Sequence, residues 1–196
     1  MNSYKALQRL KEGNQRFVSE KHITAVPGSE LRMLLSEGQA PYAIILSCAD
    51  SRVVPELMFD VSLGEVFIIR VAGNIANISS IASIEYAVAN LDTKLIIVLG
   101  HESCGAVTAA MEGGDQGQNL NHLLSHIQPA IDQAGEGATI SDVAKINAEL
   151  GVNNLINNSQ IIRDAVEKRG VKIVPAFYHL STGVVDFYES PITRSV

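Results

Sequence analysis

The chain has 196 residues, 46% hydrophobic and 18% charged, which suits one domain with a sizeable core and excludes compositional disorder. The formal charge is −6 and no run of Lys or Arg exceeds two residues, so the basic footprint of a nucleic-acid binder is missing. No apolar stretch approaches the roughly 18–20 residues of a membrane span, and residues 1–12 alternate charged with apolar types where a secretory signal would carry an apolar block. A cytoplasmic protein with no membrane partner is expected, and its two cysteines do not make a disulfide framework.

In chain order, residues 2–20 predict an amphipathic helix, with Leu7, Leu10, Phe17 and Val18 near the helical period. Pro27-Gly28-Ser29 interrupts it, and a short second helix runs from Ser29 to Gly38. Apolar runs predict strands at 42–46, 66–69 and 95–99, the last two separated by a mostly buried helix carrying Ile78, Ile81, Ile84, Tyr86, Val88 and Leu91. A helix is expected to start at Cys104 and stop before Gly113-Gly114, followed by a glycine-rich loop over 112–118. Stretches 120–134 and 141–169 read as helical, with breaks possible at Pro129 and Gly151. Gly170 then caps the helix, and strands follow at 171–178 and 184–188. Strands alternating with helices imply an α/β fold: four parallel strands plus an edge strand, flanked by helices, in a single domain spanning 1–196. Residues 1–38 form a helical arm in this reading and 39–196 the core.

Chemistry concentrates in two segments, Ser-Cys-Ala-Asp-Ser-Arg-Val at 47–53 and Gly-His-Glu-Ser-Cys-Gly at 100–105. Each follows a predicted strand, and in α/β sheets the ligand site lies beyond the carboxyl ends of the strands. Both cysteines fall here, and His101 precedes Cys104 by three residues. Cys48, His101 and Cys104 together offer two thiolates and one imidazole, leaving a fourth tetrahedral position open, as in a catalytic zinc site. Buried free cysteine is the bland alternative, but two cysteines flanking one histidine at strand ends argue against it. A redox pair would want a local Cys-x-x-Cys, which is missing. At the start of a helix, Cys104 would have help from the dipole in holding a thiolate. Two thiolates also cancel the charge of zinc, so the surroundings must help bring bound water to a pKa of about 7. Asp50 and Arg52 stand where they can do so.

The same segments resemble the two signatures of the β-class carbonic anhydrases. The likeness extends to Ala6-Leu7 through Gly13-Asn14-Gln15-Arg16-Phe17, to Leu63-Gly64-Glu65, to Arg70-Val71-Ala72-Gly73-Asn74 and to Ser83-Ile84-Glu85-Tyr86-Ala87-Val88. It is looser at Tyr178, Leu180 and Thr182-Gly183. It implies one zinc per chain and reversible hydration of carbon dioxide to bicarbonate and a proton, with zinc hydroxide as nucleophile. It further implies that Asp50 accepts the hydrogen bond of that hydroxide while Arg52 keeps Asp50 ionised and aimed, with Asp50 a zinc ligand only in a closed state. Gln39, Phe67, Tyr86 and the Gly105 N–H correspond to the substrate pocket. In the family the glutamine and the aromatic residues come from the partner subunit, which implies a homodimer or an assembly of dimers.

The sequence departs from the family pattern at Arg70-Val71-Ala72-Gly73-Asn74, where many members have Arg-Asn-x-Ala-Asn, and at His179, where an acidic residue often stands. Members with an inhibitory bicarbonate pocket place Trp three residues before the first cysteine ligand; that position is Ile45 and the chain contains no Trp. Hydrolysis of carbonyl sulfide or carbon disulfide, which relatives perform with the same ligands, is the leading enzymatic alternative. A non-enzymatic zinc or bicarbonate sensor would be expected to have lost Asp50 or Arg52, and both are present. His122 and His126 stand four apart on a predicted helix without an acidic third ligand, which reads as a partly exposed helix face.

Overall fold

The computed structural model describes residues 1–188. Its centre is a five-stranded sheet in the order β2-β1-β3-β4-β5, made of β1 (Ala43–Ser47), β2 (Val66–Arg70), β3 (Leu95–His101), β4 (Lys172–Tyr178) and β5 (Val185–Phe187). The first four strands are parallel and β5 runs antiparallel to β4. This is the α/β architecture the alternating pattern predicts, a parallel sheet needing helices on both faces.

Side-chain alternation splits the core into two layers. Ala43, Ile45, Leu95, Ile97, Leu99, Val174 and Ala176 face α1 (Ser3–Val18), whose Ala6, Leu7 and Leu10 are buried among them. Ile44, Leu46, Ile96, Val98 and Ile173 face the other way, onto residues of α4 (Ile78–Asn90), α8 (Ile140–Asn158) and α9 (Gln160–Arg169). Helix α1 lies close against the turn after α3 (Pro55–Met58) because Gly13 has no side chain. A Cβ there would stand 1.9 Å from the Phe59 carbonyl oxygen. Helix α2 (Ser29–Ser36) by contrast buries none of its residues.

Several boundaries differ from the expectation. Strand β3 runs on through His101, since β4 stays in register with it to Tyr178 and the Glu102 N–H donates to the Tyr178 carbonyl at 2.9 Å. His101 is therefore the last residue of the strand, not the first after it. Residues 120–134 form two helices, α6 (Gln118–Ser125) and α7 (Gln128–Ala134), with Pro129 in the first turn of the second. Helix α8 passes through Gly151 unbroken. The glycine lets the helix press against β3, where a Cβ would come within 2.9 Å of Val98 Cγ1. The break falls at Ser159, whose backbone is extended and whose Oγ caps α9 by accepting from the Ile162 N–H at 3.1 Å. Gly170 ends α9 in the left-handed conformation, as expected.

Candidate metal centre

Cys48 follows β1 directly, His101 ends β3, and Cys104 is the N-cap of α5 (Gly105–Glu112). Because β1 and β3 are neighbours in parallel, their carboxyl ends coincide and the two distant segments converge. The Cys48 and Cys104 sulfurs and a ring nitrogen of His101 all lie within 4.8 Å of one another, and all three residues are buried. It is the one cluster of three or more such side chains among the described residues.

The imidazole is oriented for a ligand. His101 Nδ1 lies 2.8 Å from the Glu102 carbonyl oxygen, which can only accept, so Nδ1 carries the proton and Nε2 presents its lone pair. That Nε2 is buried without a hydrogen-bond partner among the described residues. A buried, unsatisfied imidazole nitrogen facing two thiols is costly as it stands and fits a divalent zinc ion, whose preferred donors these are.

The sulfurs are not equivalent. Cys48 Sγ accepts from the Gly73 N–H at 3.3 Å and the Asp50 N–H at 3.4 Å. Hydrogen bonding from Cys104, helped by these groups, lowers the Cys48 thiol against the opposing effect of burial. Cys104 moves the other way, pushed up by its bond to Cys48 and by burial. Of the two, Cys48 is the ready thiolate, although Cys104 holds the helix N-terminus where the sequence places that advantage. Metal binding would displace the remaining proton.

Next to this triad, Asp50 is gripped by Arg52: Nε donates to Oδ1 at 3.0 Å, Nη2 to Oδ2 at 2.8 Å, and the Arg52 N–H to Oδ1 at 2.9 Å. These bonds hold the Asp50 carboxyl well below the usual carboxylate range. Arg52 Nη2 also donates to the Ser103 carbonyl at 3.2 Å, tying the first signature to the second. A further positioning residue, Arg70, comes from the end of β2. Its Nε donates to the Cys48 carbonyl at 3.1 Å and its Nη2 to the Asp50 carbonyl at 2.7 Å. The sequence names Arg70 only as part of a shared stretch. Its role follows from the register that sets Ser47 beside Arg70, which no local signal contains.

The other candidates fall in two groups. Gly105 opens α5 beside Cys104, exposed, and a Cβ built on it would meet nothing within 4 Å. Gln39 is exposed and precedes β1, at the opposite end of the strand from Cys48. Five strand residues at about 3.3 Å each separate them. Phe67 lies on the edge strand β2, paired with Ile44, and its ring lies 6.3 Å from that of Tyr86, which is half-exposed on α4. These three are thus not gathered around their own chain's triad. His122 and His126 stack edge-on at 5.2 Å and belong to no such three-residue cluster.

Comparison with known proteins agrees with this arrangement. The sequence pattern of the carbonic anhydrase family matches residues 43–185. A carbonic anhydrase of Mycolicibacterium smegmatis is 36% identical over 193 residues, covering 94% of this chain and 93% of its own length. Among solved structures, a Coccomyxa β-carbonic anhydrase in complex with acetazolamide superposes with a TM-score of 0.73 at 29% identity, over 92% of this chain and 85% of its own. One of two tetrameric β-carbonic anhydrases of Sordaria macrospora gives 0.75 at 28%, over 82% and 87%. The chain belongs to the β-class carbonic anhydrases, zinc-dependent lyases that interconvert carbon dioxide and bicarbonate.

Proposed function

We propose that Cys48, His101 and Cys104 hold one zinc ion per chain and that Asp50, positioned by Arg52, directs the hydration of carbon dioxide at that centre. The observation that carries this reading is the buried triad with an unsatisfied His101 Nε2 beside an arginine-gripped carboxylate. Zinc bound there supplies a Lewis acid that brings the pKa of a bound water down toward about 7. An ionised Asp50 can only accept hydrogen bonds. Held so far below the usual range, it stays a carboxylate throughout neutral pH and orients the attacking group without storing its proton. The Gly105 N–H, in the first turn of α5 where backbone donors have no helical partner, points the substrate by donating to one of its oxygens. The helix dipole favours the negative charge that the bicarbonate product carries.

The rest of the pocket is supplied in this reading by a second copy, its Gln39 as the amide donor and its Phe67 and Tyr86 as the apolar lining. What supports it is that these residues stand away from their own triad, on a surface that looks incomplete. The edge strand β2 is only half-buried, and Met33, Leu34, Leu63, Ile78 and Tyr86 are exposed apolar residues. Such an edge and patch call for cover. A homodimer, or an assembly of dimers, provides it. Residues 1–38 are then an arm of a single 1–196 domain, although 189–196 lie outside the described residues. A cytosolic setting is in keeping with two free thiols at the centre. Among the described residues no helix is long and apolar enough to cross a membrane.

The test is stopped-flow hydration of carbon dioxide with and without a chelator, with elemental analysis of the protein and carbonyl sulfide as a parallel substrate. Stoichiometric zinc and hydration that chelation abolishes are expected. Turnover of carbonyl sulfide in place of carbon dioxide would shift the assignment to a hydrolase, and protein without zinc would remove it.

A further inference from the structure

A cleft of about 580 Å³ opens beside the end of α6, and both His122 and His126 line it. None of its lining residues belongs to the Cys48, His101 and Cys104 triad. The rest of its polar lining is neutral, from Asn77, Gln118 and Asn119, and no Asp, Glu, Lys or Arg faces it.

The two histidines stand four residues apart, the spacing that sets side chains one above the other on a helix. His126 is the C-cap of α6, yet its backbone stays helical at φ −70° and ψ −21°, so the spacing holds to the end. Leu124 and Ile127 are buried in the core and fix which way this stretch of chain faces. The imidazole rings lie 5.2 Å apart and nearly perpendicular, at 83°. Among the described residues neither ring has a hydrogen bond or an ion pair. Both are open to the cleft, His122 exposed and His126 half-buried. Burial, and after it the neighbouring His122, holds His126 below the ordinary histidine range, so this ring keeps a free lone pair at neutral pH.

We infer that His122 and His126 form a second metal site, a two-imidazole chelate for a divalent transition ion of the zinc or nickel type, with water completing its shell. An ion about 2.0–2.1 Å from one nitrogen of each ring holds the two ring centres roughly 5 Å apart. The rings already stand at that separation. Turning a nitrogen of each toward a shared ion is a rotation about χ2, a soft torsion in histidine, and leaves the helix where it is. The donor set selects the ion. Magnesium and calcium want carboxylate and carbonyl oxygens, and the cleft offers no carboxylate, whereas imidazole suits zinc, nickel and copper. The setting favours a cation too, because the end of α6 is the negative end of its dipole and no Lys or Arg on the wall repels the charge.

The experiment is a calorimetric titration of the untagged, zinc-loaded protein with nickel chloride in a buffer that does not bind metal, with magnesium chloride as control. Metal analysis of the dialysed sample then counts nickel and zinc separately. One nickel ion per chain is expected beyond the zinc, with no saturable uptake of magnesium. Two linked ligands outbind one by about 10²–10⁴, so His122→Ala and His126→Ala should each weaken nickel binding at least about 100-fold. Both variants should keep their zinc and their hydration of carbon dioxide. His122 is exposed, so its variant carries the test if the half-buried His126 proves necessary for folding. Nickel uptake matched by loss of zinc would mean exchange at the triad and would remove the second site. Binding that survives both substitutions would place the ion elsewhere, and no saturable nickel uptake would leave the pair as a plain helix face. Magnesium bound as tightly as nickel would overturn the selection by imidazole.

Discussion

The Arg52 guanidinium closes on both oxygens of the Asp50 carboxylate, at 3.0 Å and 2.8 Å, although the two residues stand only two apart in the chain. The fork costs little because the Arg52 N–H bonds Oδ1 as well, so the turn itself presents the carboxylate to the side chain. Arg52 is half-exposed, which makes it a poor source of stability. Its value lies in aim. Arg52→Ala should leave the zinc content near one per chain and the melting temperature almost unchanged, yet lower hydration by about 10–100-fold, the usual scale for losing an orienting group. Stopped-flow assay with metal analysis on the same sample checks this. Wild-type turnover in the variant would remove Asp50 and Arg52 from the mechanism.

Arg70 should behave in the opposite way. It holds the backbone carbonyls of Cys48 and Asp50, so it shapes the loop that carries a ligand. Arg70→Ala is expected to weaken zinc binding by about 10–100-fold, read by competition with a chromogenic chelator. Turnover of the fully loaded variant should fall less than affinity does. Unchanged affinity would mean that the loop keeps its shape without the arginine.

Acid sensitivity should trace to Asp60. Burial alone would raise its pKa, but Arg16 Nε at 2.6 Å and the Ile23 and Thr24 N–H groups, each at 3.2 Å, outweigh that and hold the carboxyl well below the ordinary range. A depressed carboxylate contributes stability that is complete above its unfolded pKa of about 3.9 and fades as pH falls toward the folded value. Asp60→Asn should cost about 1–3 kcal/mol at pH 7 and flatten the loss of stability below about pH 4. Urea unfolding across pH measures both. A variant with an acid limb as steep as the wild type would place the sensitivity elsewhere.

Gly13→Ala tests how α1 is seated. Alanine favours a helix by about 1 kcal/mol over glycine, so on local grounds the change stabilises. The Phe59 carbonyl 1.9 Å from the added carbon forbids it unless the helix moves. A net loss of about 1–3 kcal/mol is expected from overpacking, visible in denaturant midpoint. A gain in stability would mean that α1 is free to shift away from the turn after α3.

Shared sites between copies can be tested by mixing. Cys48→Ala should lack zinc, and Gln39→Ala should hold zinc but turn over poorly. If one copy's Gln39 serves the other's centre, refolding the two inactive variants together should restore activity in mixed pairs, up to about half that of the wild type, since each mixed dimer rebuilds one complete site. No recovery, or a fully active monomer in sedimentation, would contradict a site built between subunits.

Much of the metal centre was legible because its signals are local. Apolar runs mark the buried strands, and a residue that follows such a run must emerge at the sheet's carboxyl edge, which places Cys48. His101 and Cys104 are fixed relative to each other by three residues of chain, so their pairing needed no tertiary information. Asp50 and Arg52 form their fork within a single turn for the same reason.

What the sequence alone left open depends on contacts between segments distant in the chain. Arg70 became a positioning residue only because β2 lies beside β1 with Ser47 opposite it. Gly151 looked like a helix break, yet its missing side chain serves close packing on Val98, and Ser159 breaks the helix through its cap. His101 joined the strand because β4 continues alongside it. Cys48 rather than Cys104 became the readier thiolate chiefly because Cys104 donates to it across the sheet edge, with the Gly73 and Asp50 N–H groups adding to that bond. Asn74 gave no sign in the sequence that its side-chain nitrogen would be buried without a hydrogen-bond partner among the described residues. The order of residues set which side chains carry chemistry and how they recur along each element. Register between parallel strands, close approach at glycine and the burial of single polar atoms arise only when those elements meet, and they decided which groups face one another.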